Sequence, residues 1–137
     1  MDSKNDKKNM IFNICSNHIG GMLGETLLYY FLKNKLIEKQ DEDYYLTENG
    51  YEKLELIGID IDSIISSSKT VVKICFESED GILYEHIGSL LGTLIMERMI
   101  ELEWIHKIDD STIKLTSKGI DGLQSIGIKL KNNLYAS

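Results

Sequence analysis

The sequence predicts an α+β domain, mainly helical, in which one supersecondary unit occurs twice. The first observation is an internal repeat, because three short strings of the first half return in the same order in the second half. The second is that each copy runs through a long apolar segment, a polar turn and a capped amphipathic segment. Such a unit buries its apolar face against its twin, so we expect pseudo-twofold packing of the two copies. The matched strings are His18-Ile19-Gly20 with His86-Ile87-Gly88, Leu46-Thr47 with Leu115-Thr116, and Ile57-Gly58-Ile59 with Ile126-Gly127-Ile128.

The repeat divides the chain. A polar stretch at residues 1–9 is expected to be a flexible tail, and residues 10–137 are expected to form a single domain. Within that domain we place repeat one at 11–60, a connector at 61–74 and repeat two at 75–130. A chain of this length is sufficient for one buried core.

Repeat one is expected to open with a long helix from near His18 to Leu36, because apolar residues cover most of its circumference. A hairpin over residues 37–46 follows, turning through a polar tip. Thr47 is well placed as the N-cap of the next helix, with an acidic residue in its first turn. That helix is expected to end near Gly58.

Repeat two is expected to follow the same scheme. Its long helix is predicted over Ile82–Glu103, its hairpin turns through 109–111, and Thr116 caps the last helix. Between the repeats, residues 60–70 predict a short helix and 71–76 a strand.

Composition narrows the functional classes. The net charge of −7 argues against broad binding to nucleic acid or to anionic membranes, which require basic surfaces. No apolar run reaches the roughly 18 residues of a spanning helix. Two cysteines are too few for a disulfide scaffold, so we expect a cytoplasmic protein.

The order of helix, two-stranded wing and helix is that of the back half of a winged helix. Several strings add to this order: Cys15-x-x-His18-x-Gly20, Leu46-Thr47-x-x-Gly50, Leu56-Ile57-Gly58-Ile59-Asp60, Cys75 with His86-x-Gly88, and Glu101-Leu102-x-Trp104. Together they resemble the C-terminal region of longer ArsR-family transcription regulators, over roughly residues 11–130. The resemblance implies two tandem degenerate winged-helix repeats that serve as an effector-binding or dimer-forming part.

The chain departs from that family in two places. The longer regulators carry an N-terminal DNA-reading winged helix, whereas only a short tail precedes Cys15 here. The family's second cysteine segment continues with a tryptophan and an arginine pair, whereas this chain has the acidic stretch Phe76–Gly81. We therefore expect the regulator's effector or dimer-forming part without its DNA-reading part.

Charge also argues against direct DNA contact through the wings. Both wing tips are acidic, at residues 41–43 and 109–110, and would repel a phosphate backbone. The long helix of repeat two carries Glu97, Glu101 and Glu103 against one arginine, Arg98. A DNA-binding winged-helix regulator remains an alternative, but these helices are better explained as scaffold.

Cysteines and histidines lie near the start of both repeats. Cys15, His18, Cys75 and His86 offer two thiolates and two imidazoles, which is the ligand set of a tetrahedral zinc site or of a softer metal. A thiol redox sensor is a further alternative. The competing interpretation is that the cysteines are small buried hydrophobes and that the histidines bond the backbone. His106 is expected at the surface.

Two glycine pairs, Gly20 with Gly24 and Gly88 with Gly92, are spaced four apart. Glycine inside a helix costs about 1 kcal/mol relative to alanine, so some compensation is expected. Close approach of two helix backbones would provide it.

We find no nucleophile, base and orienting acid at a persuasive spacing, so an enzyme is the least expected class. The leading hypothesis is a non-catalytic regulatory module that binds a small-molecule effector or a protein partner, as a homodimer. Membranes are not expected among its partners.

Overall fold

The structure is a computed structural model that describes residues 10–66 and 71–130. The predicted tail at residues 1–9 and the end of the predicted 60–70 segment lie outside these ranges. Each half of the chain follows one element order: hairpin, long helix, hairpin, shorter helix. In the first half these are β1 (Ile11–Cys15), β2 (His18–Ile19), α1 (Gly21–Lys33), β3 (Ile37–Gln40), β4 (Asp43–Leu46) and α2 (Glu48–Leu56).

A short helix, α3 (Ile61–Ile65), begins the connection to the second half. The second half contains β5 (Lys73–Glu79), β6 (Ile82–Gly88), α4 (Ser89–Glu101), β7 (Ile105–Asp109), β8 (Thr112–Leu115) and α5 (Ser117–Ser125). Backbone details repeat as well as elements. Lys35 and Glu103, which follow the two long helices, are both left-handed, with φ of 57° and 63°. Gly58 and Gly127 likewise have φ of 86° and 96° after the two shorter helices.

Both long helices are shorter than predicted. The helix expected from near His18 begins at Gly21, and His18 itself lies in β2. The helix expected from Ile82 begins at Ser89, and the preceding residues form β6. The cause in the second half is the Asp80-Gly81 turn, whose positive φ values of 53° and 80° suit a tight hairpin.

The two hairpins predicted as wings, β3–β4 and β7–β8, form where they were expected, and both capping threonines are confirmed. Thr47 Oγ1 accepts a hydrogen bond from the Gly50 N–H at 3.0 Å, and Thr116 Oγ1 accepts one from Gly119 at 2.9 Å. Both hydroxyls also donate to a backbone carbonyl at the end of the preceding long helix, that of Lys35 or Glu103. Each threonine therefore ties the shorter helix of its half to the long one.

One sheet joins the two halves. Its strand order is β2-β1-β8-β7, so the first hairpin of the first half pairs with the wing of the second half. In the register of β1 and β8, Phe12 lies opposite Ile113, and both side chains are buried. The β3–β4 and β5–β6 hairpins form separate two-stranded sheets.

The fold is α+β, with 42% of the described residues in helices and 32% in strands. Strands therefore contribute more than the mainly helical prediction allowed, because β2 and β6 were assigned to helices and β1 was not predicted. The assignment of the halves to degenerate winged helices stays a prediction. No helix in residues 10–66 or 71–130 is long and apolar enough to cross a membrane.

The core runs between the halves. Both long helices contribute to it, although Leu32, one of the apolar residues of α1, is 41% exposed. The largest fully buried side chains are Leu23, Ile37, Leu54, Ile64, Leu91, Met99, Ile105, Ile113, Leu115, Leu123 and Ile128.

Candidate metal centre

Each of the two cysteines lies in the first hairpin of its half, where it is the cross-strand neighbour of a histidine. Cys15 lies opposite His18 in the β1–β2 hairpin, and Cys75 lies opposite His86 in the β5–β6 hairpin. The two pairs have different sequence spacings only because the second hairpin extends four residue pairs further. Directly opposite residues have side chains on the same face, so each hairpin presents a thiol beside an imidazole.

The two hairpins bring three of these four side chains into one cluster. The ligand atoms of His18, Cys75 and His86 all lie within 4.8 Å of one another. The two imidazole rings are 5.8 Å apart between centroids and tilted by 48°. Cys15 is not part of this group, and both cysteines are free thiols of intermediate exposure.

His86 is the most constrained member of the cluster. Its exposure is 0%, and neither of its ring nitrogens has a hydrogen-bond partner among the residues that the structure describes. Within the same residues, Nδ1 of His18 is buried without a partner as well. A buried polar atom left without a partner costs about 1–3 kcal/mol, so the cluster has unused capacity to bind a ligand.

Glu77 stands beside the cluster and was not singled out in the sequence. Its Oε1 accepts a hydrogen bond from the Gly21 N–H at the start of α1, at 2.6 Å, and lies 3.7 Å from Nδ1 of His86. Residues two apart on a strand share a face, so Glu77 follows Cys75 toward the cluster. The Asp80-Gly81 turn was the available signal, because it fixes the strand register and therefore this face.

Burial governs the protonation of the histidines. It lowers the pKa of His86, an effect that the charge of Glu77 opposes and the neighbouring His18 reinforces. Burial also lowers the pKa of His18, partly offset by a hydrogen bond with the backbone of Ser89. Both imidazoles are therefore neutral near pH 7, and a neutral imidazole has a lone pair available to a ligand.

The pKa of Cys15 is raised, first by burial and then by the negative charges of Glu77 and Cys75. Cys15 therefore stays a thiol at neutral pH more readily than an ordinary cysteine does. Since the thiolate is the form that binds metals, this shift of the pKa disfavours Cys15 as a ligand.

Gly24 and Gly92 each lie against the histidine of the opposite half. A Cβ on Gly24 would clash with the carbonyl oxygen of Ile19 and come within 2.9 Å of His86. A Cβ on Gly92 would clash with the carbonyl oxygen of Ile87 and come within 2.9 Å of His18. The nearest neighbours are thus a strand and a histidine rather than the backbone of the opposite helix.

Gly20 and Gly88 are N-cap residues of the long helices rather than interior ones. A side chain at Gly20 would meet the Glu77 carboxylate, and one at Gly88 would meet Sγ of Cys75. Gly24, Gly88 and Gly92 therefore border the cluster, and Gly20 borders the adjacent Glu77.

The tips of both wings are acidic. Asp41, Glu42, Asp109 and Asp110 are all exposed. His106, on β7, is exposed as predicted.

The chain has a distant similarity to a transcription regulator. It is 23% identical over 116 residues to an uncharacterized HTH-type transcriptional regulator, YdfF, of Bacillus subtilis (strain 168). The alignment covers 83% of this chain and 50% of that protein, so the chain spans about half the length of this relative. No protein-family profile and no solved structure matches the chain.

Proposed function

We propose that this protein is a non-catalytic regulatory module of the kind found in transcription regulators, and that it senses an effector where its two halves meet. The observation that carries the proposal is His86, which is fully buried between the halves with both ring nitrogens unpartnered in the described structure. An effector bound there contacts residues of both halves at once. The similarity to a helix-turn-helix regulator supports a regulatory role.

A ligand at this junction has a physical route to the rest of the fold. His18 lies three residues before the first residue of α1, and His86 lies three residues before the first residue of α4. Each histidine also packs against the long helix of the other half, at Gly92 or Gly24. Binding that draws the histidines together therefore acts on both long helices.

Direct DNA reading is not part of this proposal, because both wing tips are exposed and acidic. Gel shifts with mixed-sequence duplex DNA at low salt are expected to show no binding by the isolated protein. A shift that is lost on raising the salt would favour the alternative, a DNA-binding regulator. A homodimer, which we predict, is tested by native mass spectrometry of the same preparation.

The regulatory role is tested in the source organism. We expect a deletion strain to change the level of a defined set of transcripts, and a His86→Gln strain to change the same set. The matched control is His106→Gln, which alters an exposed histidine on a wing and should leave transcripts unchanged. Unaltered transcripts in the deletion strain would contradict the proposal.

A further inference from the structure

Three features of the cluster define the chemistry of its ligand. It offers two imidazoles and one thiol, it contains a fully buried histidine whose ring nitrogens make no hydrogen bond among the described residues, and a carboxylate lies next to it. Nitrogen and sulfur donors together are the preferred set of zinc and of softer ions, whereas magnesium and calcium prefer oxygen donors.

We propose that His18, Cys75 and His86 bind one Zn²⁺-like transition-metal ion, with Glu77 as a positioning residue. This inference rests on the proposed function, since it names the class of effector sensed at the junction of the two halves. Cys15 lies outside the ligand group, so the site uses one of the two cysteines that the sequence offered.

The distances suit such an ion. Zinc bonds of about 2.0–2.1 Å to nitrogen and about 2.3 Å to sulfur place tetrahedral ligand atoms roughly 3.4–3.6 Å apart. The three ligand atoms already lie within 4.8 Å of one another. Side-chain adjustments of about 1 Å therefore bring these three donors to bonding distance, without a change of strand register.

The charges suit it as well. A divalent ion brings two positive charges, and the Cys75 thiolate and the Glu77 carboxylate bring one negative charge each. Glu77 is held in place by the Gly21 N–H, and its Oε1 lies 3.7 Å from His86 Nδ1. A carboxylate beside a ligating histidine orients the ring, as outer-shell partners do in metal sites.

A buried water molecule is the competing occupant, since it would also satisfy the unpartnered nitrogens. It would not, however, require the thiol, and it would not give stoichiometric metal uptake. The contribution of Cys75 therefore separates the two explanations.

The test is metal titration of the full chain after removal of metal by a chelator. We expect one Zn²⁺ per chain, measured by competition with a chromophoric chelator. Co²⁺ in its place should give thiolate charge-transfer absorption and the visible bands of a tetrahedral ion. Absence of stoichiometric binding would overturn the proposal.

Variants identify the ligands. Cys75→Ser, His18→Gln and His86→Gln should each weaken Zn²⁺ binding by more than the roughly 10–100-fold that loss of an outer-shell partner costs, and Glu77→Gln should fall within that range. Cys75→Ser should also abolish the charge-transfer band. Cys75 is partly exposed, so this variant is expected to fold even if a His86 variant does not.

The chain supplies matched controls. Cys15→Ser removes the other half-exposed thiol, and His106→Gln removes the exposed histidine. Both should keep the stoichiometry and lie within about threefold of the parent affinity. A loss with Cys15→Ser as large as that with Cys75→Ser would overturn the three-residue assignment.

The outcome is separable from that of the proposed function. A protein that binds no metal but whose His86→Gln strain still changes transcripts would refute the metal and keep the regulatory role. Tight metal binding with unchanged transcripts in the deletion strain would refute the regulatory role and keep the metal site.

Discussion

Replacing Gly24 or Gly92 with alanine sets two physical effects against each other. Alanine in a helix interior is favoured over glycine by about 1 kcal/mol, so helix propensity alone predicts stabilisation. In this structure the added Cβ would clash with the carbonyl oxygen of Ile19 or Ile87 and press on a histidine of the other half.

The clash has little room to relax. Ile19 and Ile87 belong to strands whose partners fix their backbones, and both side chains are buried. Overpacking of this kind costs typically about 1–3 kcal/mol. The net expectation is a loss of about 0–2 kcal/mol of unfolding free energy once the propensity gain is subtracted.

The assay is urea denaturation followed by circular dichroism, on the parent, Gly24→Ala, Gly92→Ala and Glu25→Ala. Glu25 lies on the same helix and is exposed, so its variant should stay within about 0.5 kcal/mol of the parent. In thermal melts the glycine variants should lose roughly 3–5 °C per kcal/mol for a chain of this size. Glycine variants that are more stable than the parent, as helix propensity alone predicts, would refute the reasoning.

Three further outcomes follow from the geometry. Thr47→Ala and Thr116→Ala should each lower the unfolding free energy in urea by about 1 kcal/mol, because each removes the same kind of helix cap. A large difference between the two losses would contradict the equivalence of the halves. Tyr30→Phe should cost about 0.5–1.5 kcal/mol, because the Tyr30 hydroxyl donates to the Ile126 carbonyl at 2.5 Å, whereas Tyr45→Phe at an exposed site should cost nothing measurable. The pKa of Asp109 is lowered by hydrogen bonds from the Ser111 N–H and the Thr112 and Ser111 hydroxyls, so its stabilising effect is present above the ordinary aspartate pKa and lost as pH falls through the lowered value. Denaturation of Asp109→Asn and the parent across acid pH should show the difference in their unfolding free energy vanishing as the pH falls. A difference that stays constant with pH would refute this.

Much of the fold was accessible from the repeat. The wings and both capping threonines were predicted because turn residues and the Leu-Thr-x-x-Gly string act locally. The strand predicted at 71–76 overlaps β5, but β6 was assigned to a helix because Ile82, Leu83 and Ile87 are spaced as on a helix as well as on a strand. Pairing of β6 with β5 determines that this segment is a strand, and the Asp80-Gly81 turn is the local sequence signal for that hairpin.

The candidate site was accessible in part. His18, Cys75 and His86 were named from residue type alone, and the structure brings these three together. The lesser role of Cys15 and the presence of Glu77 depend on strand register and on the approach of the two hairpins. Neither of those is encoded in the spacing of the cysteines and histidines.

The most direct test of a shared site between the two halves is X-ray absorption spectroscopy of the zinc-loaded full chain. The account predicts one sulfur ligand at about 2.3 Å, from Cys75, and imidazole nitrogens at about 2.0–2.1 Å, from one histidine of each half. The sulfur should disappear in Cys75→Ser and persist in Cys15→Ser. A first shell of oxygen and nitrogen without sulfur in the parent protein would contradict the account.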